Sequence, residues 1–349
     1  MQDKPRTTKL TIAPKHLLIL LLPVVVLTVS EIMLASFADT DMDPGPVAIV
    51  EAGRMVELAG RYRFMAVWFF YSAVAFTFIA VFVADLKARH TWQSCCMTIV
   101  ALIVVIFISL IFSVFEPAWM GSFEAYELLG AEIFTAALGV GHLPICAPGA
   151  PMEPRCGPHG AFFAMTFLLD KTNFIASFST AAVIAGMVLA LARAHPPELS
   201  TPDGLMREAQ ALETAQRTVR RYLYCSGILL TVGMMMGLAW MNWPADLIAD
   251  KAQREEFRAL VDSVSLFRGV SYSVLILSFY MPVSLILMVR IERFQTAAEG
   301  KSIPEAARSI DGFDIGRIGS MDAFKAVLSI IAPIIASAVG SFAGVNPFG

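Results

Sequence analysis

The run FIASFSTAAVIAGMVLALA at 174–192, followed after a polar interval by YLYCSGILLTVGMMMGLAWMNW at 222–243, decides the fold. Both runs are long enough to cross the hydrocarbon layer as helices. The polar interval between them is a hairpin carrying five of the chain's 26 Lys and Arg residues. Each flanking segment can be oriented against this pair.

Composition agrees with that reading. The chain is 57% hydrophobic and 16% charged, with a mean hydropathy of +0.67. Apolar runs of this length recur along 349 residues, which excludes an ordinary soluble domain. Lipid offers the backbone no hydrogen-bond partners, so each spanning segment must satisfy its own N–H and C=O groups as a helix. The ten-residue alternation of a membrane β-barrel is absent. The expected fold is an all-α, polytopic bundle of six transmembrane helices, with a seventh hydrophobic helix at the C-terminus.

Working outward, a basic tail at 1–16 runs into LLILLLPVVVLTVSEIMLASF, too long for the apolar core of a signal peptide and kinked by Pro23. A polar connection at 38–63 follows, its later part read as a helix along the membrane surface. FMAVWFFYSAVAFTFIAVFVA and SCCMTIVALIVVIFISLIFSVF are the second and third spans, nearly free of polar groups and suited to wide lipid-facing surfaces. The loop 116–160 is acidic and Pro/Gly-rich. After the central pair come a mixed-charge segment at 244–265, a sixth span carrying Pro282, and a polar segment at 290–325. The final run, 326–345, is long enough to span, but its Ala336, Ala338, Gly340 and Gly344 also suit re-entry or packing against the bundle.

Lysine and arginine counts orient the chain. With the N-terminus inside, the inner segments hold 17 of these residues and the outer segments 7, so the positive-inside rule places the N-terminus and the hairpin 194–221 in the cytoplasm. The expected location is the plasma (inner) membrane, with the lipid bilayer as partner and a homo-oligomer or a partner membrane subunit also possible. Nucleic acid is excluded as a partner for want of a basic stripe or stacking platform.

Three groups of residues are candidates for chemistry or recognition. His142, Cys146, Cys156 and His159 have a spacing that zinc could use. Their exterior placement favours a Cys146–Cys156 disulfide instead, since thiols outside the cytoplasm are usually oxidised. Mass spectrometry of non-reduced peptides should find that linked pair, whereas free thiols with stoichiometric zinc would assign the loop to metal. Glu31, Asp170, Lys171 and Arg268 form the second group. At about 1.5 Å per residue, Glu31 lies some 21 Å above Leu17, at the depth of the other three. Either each marks the interface end of its helix, or they converge on an outward vestibule in which Glu31 pairs with Arg268 or Lys171. The third group, Leu205, Leu212 and Val219, recurs every seven residues and makes a cytoplasmic docking stripe for another segment such as 303–318 or a second subunit.

No soluble-enzyme motif is present, and no catalytic pair, metal site or cofactor is assigned. The intramembrane polar groups favour a channel or transporter for a small solute or ion. A sensor, scaffold or complex subunit is the alternative, suggested by the hairpin and the very apolar second and third spans. An intramembrane enzyme is a further one.

Overall fold

The computed structural model describes residues 9–37, 54–120, 158–194, 199–243, 245–298 and 320–342. Among them the helices are α1 (Pro14–Leu17), α2 (Leu21–Phe37), α3 (Arg54–Arg89), α4 (Trp92–Met120), α5 (Pro158–Val188), α6 (Pro202–Asn242), α7 (Lys251–Ala298) and α8 (Ser320–Phe342). No strand occurs among the described residues, only isolated bridges at Leu10 and Thr11. His142, Cys146, Cys156 and His159 lie outside the residues whose side chains the structure describes. Cys95, Cys96 and Cys225 are free thiols.

Among the described residues five helices are long and apolar enough to cross a membrane: Pro14–Met33, Leu58–Arg89, Phe174–Leu191, Pro202–Leu247 and Lys251–Ala298. Trp92–Ile108 and Phe324–Val339 are apolar but shorter in their described parts. The α-helical hydrogen bonding of the first span gives way to a 3-10 turn at Leu18–Leu20. Pro23 explains the position, because it has no N–H to offer the carbonyl four residues earlier, at Ile19.

α5 is the most enclosed of these helices: 67% of its apolar window is buried, against 22% for the first span and for α3. Its Ala and Gly residues allow neighbouring helices to approach closely. Gly186 has the tightest such contact, since a Cβ there would stand 2.2 Å from Cζ of Tyr222 on α6. α3 and α4, by contrast, expose Phe69, Phe70, Phe76, Ile103 and Phe107, the kind of surface that lipid covers.

The polar flanks differ from their expected form. The surface helix expected before residue 63 is continuous with α3 from Arg54 onward, and most of the 244–265 connection belongs to α7. No proline interrupts either extension, and the Asp250 carboxylate starts α7 by accepting from the N–H groups of Ala252 (2.7 Å) and Gln253 (3.0 Å). The start of α6 follows the sequence closely: the Thr201 hydroxyl accepts from Gly204 N at 3.2 Å, with Pro202 in the first turn. The 41 residues of α6 reach about 60 Å, roughly twice the hydrocarbon thickness, so one end must stand clear of the lipid.

The projecting part of α6 carries the seven-residue stripe. Leu205 and Leu212 are buried in a cluster with Ile291 and Phe294 of α7, and Val219 joins the main core. The chain itself therefore covers these side chains, Leu205 and Leu212 through the end of α7 and Val219 through the main core; segment 303–318 lies outside the described residues. Leu212→Ala should cost about 2 kcal/mol of stability. Chemical denaturation would check this, and a change within error would show that the cluster adds little to holding α6 against α7.

α8 packs against both α6 and α7. Ser329 faces Gly227 of α6, while Pro333 and Ser337 face Gly269 of α7. Ala326 and Ile330 pack against the main core and Ala336 against the cluster that holds Leu238, Trp240 and Trp243 near the α6–α7 turn, so α8 runs parallel to α6 and antiparallel to α7, with its small residues at the seam.

Candidate functional site

The bundle has two ends with different chemistry. At the end holding the start of α3 and the turn after α6, Phe64, Trp240 and Trp243 form an aromatic cluster with ring centroids 5.2–6.0 Å apart. Gly60 of α3 makes room for it, because a Cβ there would stand 2.3 Å from Cδ1 of Trp243. Arg258 holds Asp246 at 2.5 Å, and Arg254 donates to the Ile248 carbonyl at 2.6 and 3.0 Å, which pins the turn between α6 and α7.

Nearly three turns further along α7 than Arg258, Arg268 donates to both carboxylate oxygens of Glu31 on α2, one of them at 3.1 Å. Ser30 and Ser271 meet beside this pair, Oγ to Oγ at 2.9 Å. Both charged side chains are largely buried, 13% exposed for Arg268 and 25% for Glu31. Fork-to-fork geometry fixes the register of α2 against α7 as well as neutralising the charges. Of the other two residues of this group, Lys171 is exposed on α5, and Asp170 lies outside the residues whose side chains are described.

Among the described residues the opposite end is open. A cavity of about 850 Å³ lies among the ends of α3 and α5 and the first five turns of α6. The lining residues nearest the middle of the bundle are Gly186 and Tyr222; Ala211 and Thr214 line it along α6. The Tyr222 hydroxyl donates to Asp85 Oδ2 at 2.9 Å, Arg221 bonds the same oxygen, and Arg89 approaches Oδ1 at 3.7 Å. Asp85 is thus the acceptor that ties α3 to α6, and the bare Cα of Gly186 lets the Tyr222 ring lie close enough to reach it. A second pair, Glu208 on the cavity wall and Arg290 on α7, is bonded at 3.2 Å and is more deeply buried.

The segment before α1 forms one rim. Leu10 N donates to the Arg89 carbonyl (2.8 Å), and Thr91 N donates to the Leu10 carbonyl (3.0 Å). Thr11 and Arg193 exchange backbone bonds at 2.7 and 2.9 Å, and Ile12 N donates to Ser94 Oγ at 3.1 Å. This short strap joins the ends of α3 and α5 to the start of α4. Burial, with the charge of Arg89 second, pushes the His90 imidazole down to about 4, so it adds no charge to the cavity at neutral pH.

Sequence reasoning singled out Glu31 and Arg268, and the structure places them in contact. It missed Asp85, Glu208, Arg290 and the strap. A signal for Asp85 was present: it is the one carboxylate in the short inner segment 85–94. Pairing partners 136 and 82 residues away leave no trace in local pattern. No group of three or more His, Cys, Asp or Glu residues suited to a metal occurs among the described residues. Comparison with protein-family models, curated proteins and solved structures finds no match.

Proposed function

We propose that the protein is a channel or transporter that moves a small solute or ion through its helix bundle, captured with its inner cavity open and its outer end closed. The several long apolar helices are compatible with an integral membrane protein. The observation that carries the proposal is the polarity of the two ends: a roomy, polar-walled cavity at one, and at the other a bidentate ion pair backed by a serine contact and an aromatic cluster. Sites of this kind, opened to one side and sealed on the other by groups that can re-pair, are what alternating access requires.

In the proposed topology the N-terminus and the cavity face the cytoplasm, in the plasma (inner) membrane, and all seven long helical segments pass between the two faces. The excess of Lys and Arg on the N-terminal side supports this orientation. A reporter fused near Pro202 should be active only in its cytoplasmic form.

Function is tested in vesicles carrying a cysteine-free variant into which Ala211→Cys is introduced. An impermeant maleimide should label it from the cytoplasmic side alone. Adding Arg268→Gln, which strips Glu31 of its counter-charge and loosens the outer closure, should lower that labelling as the outward-open population grows. Unchanged labelling, together with no uptake of labelled small ions or neutral solutes above that of empty vesicles, would remove transport and leave the scaffold reading. That alternative draws on the projecting arms of α6 and α7.

A further inference from the structure

We propose that the inner cavity is a binding site for an anionic group, phosphate or carboxylate in chemistry, with Arg193 as its principal ligand and Arg290 supplying charge from behind the wall. The inference deepens the proposed function by naming the ligand class of its cavity, and it is tested by binding, apart from movement.

The charge balance of the cavity is the starting point. Among the described residues, Arg89, Arg193 and Arg207 line it beside two carboxylates, Asp85 and Glu208, to which Arg221 and Arg290 bond; leaving out Arg207, which has a partner of its own, four guanidinium groups stand against the two carboxylates. Both carboxylates are already engaged: Asp85 by Arg221, Tyr222 and Arg89, and Glu208 by Arg290. Arg193 is half-buried and makes no ion pair among the described residues, although its backbone is held in place by Thr11. A guanidinium cannot shed its charge at any physiological pH.

Arg290 is the second, independent observation. Its residue is 7% exposed, yet it spends only one donor group on Glu208, while Nε and Nη1 have no partner among the described residues. Arg193 lies near enough for the two positive charges to repel. Buried charged donors without acceptors are costly, and a second cation nearby raises the cost. An anion entering the cavity would accept from Arg193 directly and would offset the repulsion between Arg193 and Arg290, which stands behind the wall. The neutral His90 adds no competing charge, and the volume of about 850 Å³ admits a group far larger than a halide.

Phosphate chemistry could reach the cavity as a free solute or as the headgroup of an anionic lipid, and the experiment separates these. The full chain is melted in neutral detergent against inorganic phosphate, with chloride at matched ionic strength as reference, and again in nanodiscs of phosphatidylcholine with and without phosphatidylglycerol. Phosphate protection in detergent assigns a soluble anion; protection confined to phosphatidylglycerol nanodiscs assigns a lipid headgroup. In either arm Arg193→Gln should raise the half-saturating ligand at least tenfold. Arg290→Lys, which keeps the charge opposite Glu208, should weaken binding less and guards against loss of fold. Arg217→Gln, an exposed arginine paired with Glu213 outside the cavity lining, should leave the midpoint of protection unchanged. No protection in either arm, or protection that survives Arg193→Gln unaltered, overturns the proposal. Binding that is lost in Arg193→Gln without any vesicle uptake would uphold the anion site and remove transport; uptake without such binding would do the reverse.

Discussion

Arg268→Gln is expected to destabilise the protein by about 3–5 kcal/mol, because it leaves the Glu31 carboxylate in a largely buried position with its main counter-charge removed. The size of the effect comes from what remains and not from the bond that is lost. Glu31 was desolvated against a guanidinium that gave it donors to both oxygens, and glutamine restores neither the charge nor the fork. The double variant Glu31→Gln, Arg268→Gln should recover most of the loss, since two neutral amides can bond to each other and no charge is stranded. Thermal or denaturant melts of the two single variants and the double close the cycle. A coupling below about 1 kcal/mol would put the pair with solvated surface bridges and weaken its role as an outer closure.

The seam of α8 should give an effect of similar size. At Gly227 a Cβ would stand 2.7 Å from the backbone oxygen of Ser329, and at Gly269 it would stand 2.6 Å from Ser337 Oγ and 2.9 Å from the Pro333 carbonyl. Side-chain oxygens can swing aside, but backbone oxygens move only with their helix. Gly227→Leu and Gly269→Leu should therefore each cost about 1–3 kcal/mol, and together they should lever α8 away from α6 and α7. Protease sensitivity of α8 in detergent reports the detachment. Gly237 is the control: a Cβ there meets nothing within 4 Å, so Gly237→Ala should be neutral or stabilise by up to about 1 kcal/mol. Equal effects at all three glycines would mean that helix propensity, and not the seam, is being measured.

These two experiments probe contacts of different legibility. Glu31 and Arg268 could be matched from sequence because the membrane imposes a depth scale: helix rise converts residue number into height, and rare charges at one height invite pairing. The same counting cannot say which face of a helix a residue occupies relative to its neighbours, so Lys171 was as good a partner for Glu31 as Arg268. The Leu205, Leu212 and Val219 stripe was visible through its seven-residue spacing, yet its cover on α7, Ile291 and Phe294, was not. Those residues sit in what reads as a polar tail, because the backbone of α7 continues its hydrogen bonding beyond the point where lipid requires it.

By itself the sequence determined that this chain is helical, that several of its helices are long and apolar enough to cross a membrane, and where several of them begin, because a segment that must satisfy its own backbone in lipid leaves its mark on every run of residues. Only the tertiary structure decided that α5 is the enclosed helix, that α8 seats on Gly227 and Gly269, and that Asp85, Glu208, Arg193 and Arg290 gather around one cavity. Those outcomes depend on rotation of each helix about its axis and on contacts between residues far apart in sequence. No periodicity records such rotations, since a charge facing a cavity and a charge facing water have the same local pattern.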